Sequence, residues 1–403
     1  MIQRMPAVVW AYVLLTILFV GANVFGLPYN GPRFPEFSFY RDIRQMFGGI
    51  LPAGSWQLDH AALHSSLKRL PSVRFIREIG NSLRLATGQR IEWIIWGGQN
   101  PLMLFPTVDL WVSRGLNKSV EGDLTQVADI IAKYRQRLAR EGWILIVVPV
   151  PVKLGIHREL CAWPVHESNL ITRRPMLQDQ SDEVYAFFRE RLTERSIPNV
   201  DLQTVYREAI AHNPGLLLYA TNDSHWSGAG IRLAAQATAR TIAQNSALRQ
   251  REPLRPTFYH TSHIGDLAKS FDPWPGLTSY LRPAWQFHDQ LLNGEAEAGY
   301  VYPAHPVAVV AAIGTSYTGQ YTWIPNQPVG FAWQLGLHLE DVEVQNRPIA
   351  GFGSFYAFNQ FWKQRHEIAA EFVARHGPGH EQVVIWEFPL RDIHDIQRNP
   401  KLP

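Results

Sequence analysis

The 403-residue chain contains a single cysteine, Cys161, which excludes an intramolecular disulfide framework and any zinc or iron–sulfur site built from several thiolates. Charged residues make up only 18% of the sequence, against the usual ~25%, and no long run of lysine or arginine occurs. With a formal net charge of only +3, the chain is not predicted to bind nucleic acid. Hydrophobic residues reach 46%, which is enough to bury a core and excludes intrinsic disorder of the whole chain.

Long hydrophobic runs are also scarce, and only one is long enough to cross a membrane. Residues 7–26 form 20 consecutive residues without a charge, close to the ~20 that a membrane-spanning helix needs. A cleaved signal peptide has an apolar segment of only about 7–15 residues and then a small-x-small cleavage site, of which GANVFG offers no clear example. We therefore predict an uncleaved signal anchor, a single transmembrane helix, within residues 1–27, with a cleaved signal as the alternative.

The remainder of the chain separates into two regions by composition and pattern. Residues 28–115 begin with a segment rich in proline, glycine and aromatic residues, and we expect them to form a stalk or wrapping region. From residue 116 to 403, helical patterns beginning at Asp123, Asp182 and Ile231 alternate with strand-like runs. The runs are ILIVVPVPV, NVDL, GLLLYA, VAVVAAI and VVIWEF. This alternation predicts an α/β domain with a mostly parallel sheet flanked by helices.

Two loops that follow apolar runs carry side chains suited to acyl transfer. GLLLYA leads into DSHW at 223–226, and VAVVAAI leads into GTSY at 314–317. Ligands of open α/β sheets bind beyond the carboxyl ends of the strands, so we expect both loops at one edge of the sheet, after neighbouring parallel strands. A serine is a weak nucleophile until a base takes its proton, and the base needs an orienting carboxylate. Ser316, His225 and Asp223 are candidates for these three parts.

The same residues also have an ordinary structural interpretation. Ser316 could be a turn residue, Asp223 a helix cap and His225 a surface residue, and their spacing alone does not decide between the two interpretations. The segment from His260 to Asp266 has metal-ligand spacing, but we predict no metal site there.

Five short motifs, in order, resemble those of the alginate O-acetyltransferase-like proteins, which are SGNH-hydrolase-like acetyltransferases of the bacterial periplasm. DSHW at 223–226 is similar to the family motif D-x-H-W, and GTSY at 314–317 is similar to its nucleophile motif G-[DT]-S-[FY]. The other three are VVPVPVK at 147–153, HIGDL at 263–267 and IWEFPLRDI at 385–393. The Asp–His–Ser order is permuted relative to ordinary SGNH hydrolases, and it is the order that the resembled family has.

The resemblance implies an O-acetyltransferase that acts on a bacterial exopolysaccharide. It implies that Ser316 attacks an acetyl carbonyl and carries the acetyl group, that His225 is the general base and then the general acid, and that Asp223 orients the imidazole.

Four further residues are candidates for the substrate cleft or the oxyanion site: Lys153, Trp226, Tyr317 and Gly353. Each has a structural alternative. Trp226 and Tyr317 could pack under the loops rather than stack on sugar. Lys153 could be solvated at a strand end, and Gly353 could belong to a simple helix entry with Ser354 as its N-cap.

Partners and location are implied by the same resemblance. Acetyl groups are expected to arrive from the cytoplasm through a membrane-bound O-acyltransferase, with no soluble cofactor tightly bound. The anchor is expected to hold the catalytic domain on the periplasmic side of the inner membrane, and cleavage would release it into the periplasm. Two alternatives stay open: an acetyl-polysaccharide esterase with the same triad, and a non-catalytic polysaccharide-binding or assembly subunit.

Overall fold

The structure, a computed structural model, describes residues 116–157, 177–220, 223–251, 258–263, 290–295, 305–320, 330–349 and 353–394. All of them belong to one unit of the chain, formed by residues 92–270 and 285–403. The predicted anchor at 1–27 and the wrapping region at 28–115 lie outside the described residues. Among the helices that are described, none is both long and apolar enough to cross a membrane.

Helices and strands alternate through most of the described chain. In chain order they are α1 (Lys118–Arg140), β1 (Trp143–Val150), α2 (Lys153–Ile156), α3 (Leu177–Glu194), α4 (Leu202–His212), α5 (Gly228–Asn245), β2 (Phe258–His263), β3 (Gln290–Glu295), β4 (Ala308–Gly314), α6 (Ser316–Gly319), α7 (Phe331–Leu337), β5 (Val342–Pro348), α8 (Ser354–His376), β6 (Glu381–Pro389) and a 3₁₀ helix (Leu390–His394).

A parallel sheet with the strand order β1–β6–β4–β5 forms the centre of this unit. β2 and β3 form a separate antiparallel pair. The sheet confirms the predicted α/β fold, and β4, the strand that precedes the candidate nucleophile, lies in its interior as the all-apolar run VAVVAAI predicts.

Both faces of the sheet are covered by helices, which explains why the interior strand β4 is apolar without alternation. Along β4, Val309 and Ala311 pack into one hydrophobic cluster with α1, α3 and α8. Val310 and Ala312 point the other way, into a second cluster with α4, α5 and α7. Successive side chains of a strand point to opposite faces, so an interior strand that is covered on both sides is apolar at nearly every position.

The first helix begins earlier than its sequence pattern predicts. Asn117 is its N-cap, and its Oδ1 accepts hydrogen bonds from the backbone N–H groups of Ser119 (3.0 Å) and Val120 (3.1 Å). Asp123 therefore lies inside the helix, and the prediction that the helix begins there is wrong. Its end is correct, because Gly142 follows the C-cap with a φ of 82°, a conformation that favours glycine.

Two short runs predicted as strands do not join the sheet as strands. NVDL at 199–202 contributes only a single bridge, between Asn199 and Val147 at the outer edge of β1. The remainder of the run starts α4, for which Asp201 is the N-cap.

The GLLLYA run at 215–220 pairs with its own returning chain instead of the sheet. The backbone N–H groups of Leu218 and Tyr219 donate to Nε2 of His157 at 2.9 and 3.4 Å, and the Leu218 carbonyl accepts from Ser227 N at 2.9 Å. These bonds use the groups that a neighbouring strand would need. The prediction that the loop at 223–226 leaves a parallel strand of the sheet is therefore wrong.

A matched pair of glycine substitutions tests this close packing. A Cβ at Gly230 in α5 would lie 2.2 Å from the backbone oxygen of Leu218, so Gly230→Ala forces a backbone shift and is expected to cost about 1–3 kcal/mol of unfolding free energy. Gly122 is exposed within α1 with nothing within 4 Å of the added atom, so Gly122→Ala should stabilise by roughly 1 kcal/mol. Urea denaturation of both variants measures the two changes, and the same sign for both would contradict the packing described.

Candidate active site

Asp223, His225 and Ser316 form a continuous hydrogen-bonded chain, although Ser316 is 91 residues beyond His225 in the sequence. Nε2 of His225 lies 2.6 Å from Oγ of Ser316, and Nδ1 lies 2.5 Å from Oδ1 of Asp223. Both distances are within hydrogen-bond reach, which a base needs to take a proton from a serine and which a carboxylate needs to orient that base. Asp223 and His225 are buried, whereas Ser316 is partly exposed and can meet a substrate.

The acid–base loop, residues 223–226, is a tight turn closed by backbone bonds. The N–H group of Ala220 donates to the carbonyl of His225 at 3.1 Å, and Tyr219 and Trp226 form an antiparallel bridge. Oδ1 of Asp223 also accepts from the backbone N–H of His225 at 3.0 Å, so one oxygen holds both the main chain and the ring of the histidine. The loop thereby fixes the orientation of the imidazole.

Lys153 supports the acid–base loop from inside the fold. The residue follows β1 and is only 1% exposed, and its Nζ donates to the carbonyl oxygens of Ala220 at 2.5 Å and of Asp223 at 2.9 Å. The alternative of a solvated lysine at a strand end is therefore wrong. The ammonium group acts on the site through the backbone, at Ala220 before the acid–base loop and at Asp223 within it.

The nucleophile turn, residues 314–319, leaves the carboxyl end of β4 and contains the short helix α6. Thr315 is the N-cap of that helix, and Ser316 is its first residue. Beneath the turn lies Glu387 of β6, whose Oε2 accepts from Thr315 N (2.8 Å), Thr315 Oγ1 (3.1 Å) and Thr318 Oγ1 (3.0 Å). Burial raises the pKa of Glu387 to about 7, and these hydrogen bonds act in the opposite direction.

Trp226 and Tyr317 join the two loops to each other. Nε1 of Trp226 donates to the carbonyl of Tyr317 at 2.9 Å, and the Tyr317 hydroxyl donates to the carbonyl of Ser224 at 2.7 Å. The Tyr317 ring also contacts the His225 ring edge to face, with 4.8 Å between centroids. Because Trp226 and Tyr317 are 0% and 3% exposed, neither ring offers a face to a sugar, and both have the packing role that was the alternative to substrate stacking.

Gly353 is the N-cap of α8, with a φ of 79°. The cap is completed by a distant carboxylate, because Oδ2 of Asp392 accepts from Ser354 N (3.0 Å) and Ser354 Oγ (2.8 Å). Ser354 is thus the first helical residue and not the N-cap. Burial raises the pKa of Asp392, while Arg391, the bonds from Ser354 and the field of His225 lower it, so this helix entry lies close to the triad.

Several supports of the site were not predicted from the sequence. Glu387 lies in the IWEFPLRDI motif, but the sequence analysis assigns it no role. A single acidic residue inside the apolar run VVIWEF does indicate a buried carboxyl group with hydrogen-bond partners. Gln320, whose Nε2 lies 3.4 Å from Asp223 Oδ2, carried no comparable signal, because its partner is 97 residues away.

Among the side chains that the structure describes, no three His, Cys, Asp or Glu residues are grouped as a metal ion would require. His260 and His263 belong to β2, and residues 264–267, which complete the HIGDL motif, lie outside the described part of the chain.

The chain is similar to known proteins over most of the described region. The family described as "SGNH hydrolase-like domain, acetyltransferase AlgX" matches residues 105–390. A curated relative, "Probable alginate O-acetylase AlgJ" of Pseudomonas putida, is 26% identical over 275 residues, which are 65% of this chain and 62% of the relative. The chain therefore spans somewhat less than two thirds of that relative.

Two solved structures are also similar. The O-acetyltransferase domain of Pseudomonas putida AlgJ has a TM-score of 0.50 and 21% identity, covering 74% of this chain and 92% of that one. Pseudomonas aeruginosa AlgX has a TM-score of 0.46 and 17% identity, covering 73% and 61%. The first likeness shows a shared fold. Because the family match extends over well more than half of the sequence, the chain belongs to the SGNH hydrolase-like family of AlgX acetyltransferase domains.

Proposed function

We propose that the protein is an O-acetyltransferase that transfers acetyl groups to hydroxyl groups of a bacterial exopolysaccharide. The observation that carries the proposal is the chain of two short contacts from Asp223 through His225 to Ser316, with the serine partly exposed. Membership of an acetyltransferase family and the similarity to a probable alginate O-acetylase support the substrate class.

The first half of the reaction forms an acetyl-serine. Oγ of Ser316 attacks the carbonyl carbon of the acetyl donor while Nε2 of His225 takes the hydroxyl proton. The carbonyl oxygen becomes a transient oxyanion, for which backbone amides of the nucleophile turn and of Gly353 are our candidate donors. When the carbonyl re-forms, the bond to the donor oxygen breaks, and that oxygen receives the proton from His225.

The second half reverses the roles. A sugar hydroxyl attacks the acetyl carbonyl and gives its proton to His225, and the C–O bond to Ser316 breaks as Oγ takes the proton back. Asp223 accepts from Nδ1–H throughout, which leaves Nε2 free to act as the base toward Ser316 and stabilises the imidazolium that forms. No external oxidant or cofactor takes part in either half.

We further propose the setting that the family resemblance implies. The acetyl group is delivered by a membrane-bound O-acyltransferase, no cofactor is held tightly, and the N-terminal anchor tethers the catalytic domain at the periplasmic face of the inner membrane. The uncharged stretch at residues 7–26 supports the tether.

The proposed anchor makes a testable prediction. The mature protein should fractionate with membranes and retain residues 1–26. N-terminal sequencing that begins near residue 27 would overturn this part of the proposal.

Substitutions in the triad test the proposed chemistry. Ser316→Ala removes the nucleophile and should abolish release of the chromophore from a chromogenic acetyl ester, and His225→Ala should cost about as much because triad members act as a unit. Asp223→Asn stabilises the wrong imidazole tautomer and should lower kcat by roughly 10⁴. Ser119→Ala, at an exposed position in α1, is the matched control and should behave as wild type. Wild-type activity in Ser316→Ala would exclude this nucleophile.

Partition between water and sugar separates transfer from hydrolysis. A transferase keeps water from its acyl-enzyme, so adding an acetyl-free oligosaccharide should raise turnover of the ester and yield acetylated sugar in preference to acetate. Mass spectrometry of the sugar and an acetate assay measure the two products. If acetate is the sole product with every acceptor tried, the esterase alternative replaces the proposed function.

A further inference from the structure

Glu387 is a buried carboxyl group that the proposed reaction does not use. It lies near the end of β6, in the middle of the sheet, and is 0% exposed. Burying an ionisable group is costly unless it is hydrogen-bonded, and an apolar residue at this position would avoid the cost. The hydrogen bonds that offset the cost of burying Glu387 therefore indicate the structural role of its carboxyl group.

Within the part of the chain that the structure describes, every hydrogen bond to the Glu387 side chain comes from the nucleophile turn. Oε2 accepts the backbone N–H and the hydroxyl of Thr315, which immediately precedes the nucleophile, and the hydroxyl of Thr318, two residues after it. One oxygen atom thus binds the turn on both sides of Ser316. The backbone bond is the shortest of the three, at 2.8 Å, and it fixes the main chain directly before the nucleophile.

Gly314 makes room for this carboxyl group. A Cβ at position 314 would lie 2.3 Å from Oε2 of Glu387 and 2.2 Å from Oγ1 of Thr318, distances that no real Cβ adopts. The missing side chain of Gly314 in the GTSY motif therefore leaves the space that the Glu387 carboxyl group occupies, although the two residues are 73 positions apart in the chain.

The acceptor role does not depend on the charge of Glu387. Its pKa is raised by burial, and the nearby carboxyl group of Asp392 raises it further. A proton on Oε1 still leaves Oε2 able to accept from Thr315 and Thr318. A glutamine, which keeps one carbonyl oxygen, therefore preserves this contact, whereas a methionine of similar size removes it.

We propose that Glu387 is a positioning residue that holds the nucleophile turn so that Ser316 Oγ stays within hydrogen-bond distance of His225 Nε2. The kinetic tests of this inference rest on the proposed function. The structural test rests only on the 2.6 Å contact between His225 Nε2 and Ser316 Oγ. It adds a residue that acts on the nucleophile through the backbone, without touching the reacting atoms.

Two substitutions of Glu387 in the full chain test this role. Glu387→Met should lower kcat for a chromogenic acetyl ester by about 100-fold with KM little changed, because a displacement near 1 Å can cost that much. Labelling of Ser316 by phenylmethylsulfonyl fluoride should slow in parallel. Glu387→Gln should keep kcat within about tenfold of wild type, since one weakened hydrogen bond is worth no more. Rates are taken per folded molecule, well below each melting temperature.

Tyr185→Phe controls for a general loss of stability. The Tyr185 hydroxyl is buried and accepts from the backbone N–H of Leu202 at 2.9 Å, and none of its hydrogen-bond partners in the described residues belongs to the nucleophile turn. Its removal should lower the melting temperature and leave kcat unchanged. Equal kcat losses in Glu387→Met and Tyr185→Phe, or in Glu387→Met and Glu387→Gln, would overturn the positioning role, and so would wild-type kcat in Glu387→Met.

A crystal structure of Glu387→Met separates this inference from the proposed function. The Nε2–Oγ distance between His225 and Ser316 should lengthen beyond hydrogen-bond range, whether or not the wild type turns over the ester. An unchanged distance would overturn the positioning role. An inactive wild type that also resists labelling at Ser316 would overturn the proposed function instead.

Discussion

Two hydrogen bonds between the acid–base loop and the nucleophile turn hold the halves of the site together. Trp226 donates to the backbone of Tyr317, and Tyr317 donates back to the backbone of Ser224. Both side chains are buried, so each bond satisfies a polar group that is costly to bury. The two loops are thus joined, across 91 positions of sequence, by hydrogen bonds of buried side chains. Lys153 beneath one loop and Glu387 beneath the other complete the support.

The two halves of the site reach the same place by different routes. The nucleophile turn leaves the carboxyl end of an interior parallel strand, which is where open α/β sheets place their ligands. The acid–base loop leaves no strand of the sheet. The backbone of the GLLLYA run that leads into it is bonded by the imidazole of His157 and by the returning chain, and Ser227 then caps α5. A self-contained loop of this kind can supply Asp223 and His225 ahead of Ser316 in the sequence without altering the order of the sheet.

The general fold was predictable because its signals are local, whereas the grouping of Asp223, His225 and Ser316 was predictable only with the motif resemblance, since their spacing alone left two interpretations open. Uninterrupted apolar runs such as VAVVAAI indicate strands covered on both faces, and the serine and the Asp–His pair follow recognisable strings. GLLLYA was wrongly predicted as a strand because its partner is a histidine side chain 61 residues away, which no periodicity encodes. Asn117 was missed as a helix cap because the pattern of apolar residues begins after the true start of α1. The support from Glu387 needed the strand register, which places it under the turn.

The buried carboxyl groups of Glu387 in β6 and Asp392 in the following 3₁₀ helix also contribute to how the stability of the fold responds to pH. The pKa of Glu387 is about 7 in the folded protein and 4.5 by its ordinary value, and burial raises that of Asp392 as well. Between these pH values the folded state holds a proton that the unfolded chain has released, so the unfolding free energy falls as the pH rises from about 4.5 to about 7 and then levels off with respect to Glu387. Most partnered carboxylates make a protein sensitive to acid. These two carboxyl groups act in the opposite sense. His338, whose pKa burial lowers to about 4, opposes Glu387 over much of the same range, because its imidazole holds a proton in the unfolded chain that it has released in the folded protein. The slope of denaturant titrations between pH 4.5 and about 7 therefore reports the difference between a buried acid that gains a proton on folding and a buried base that loses one.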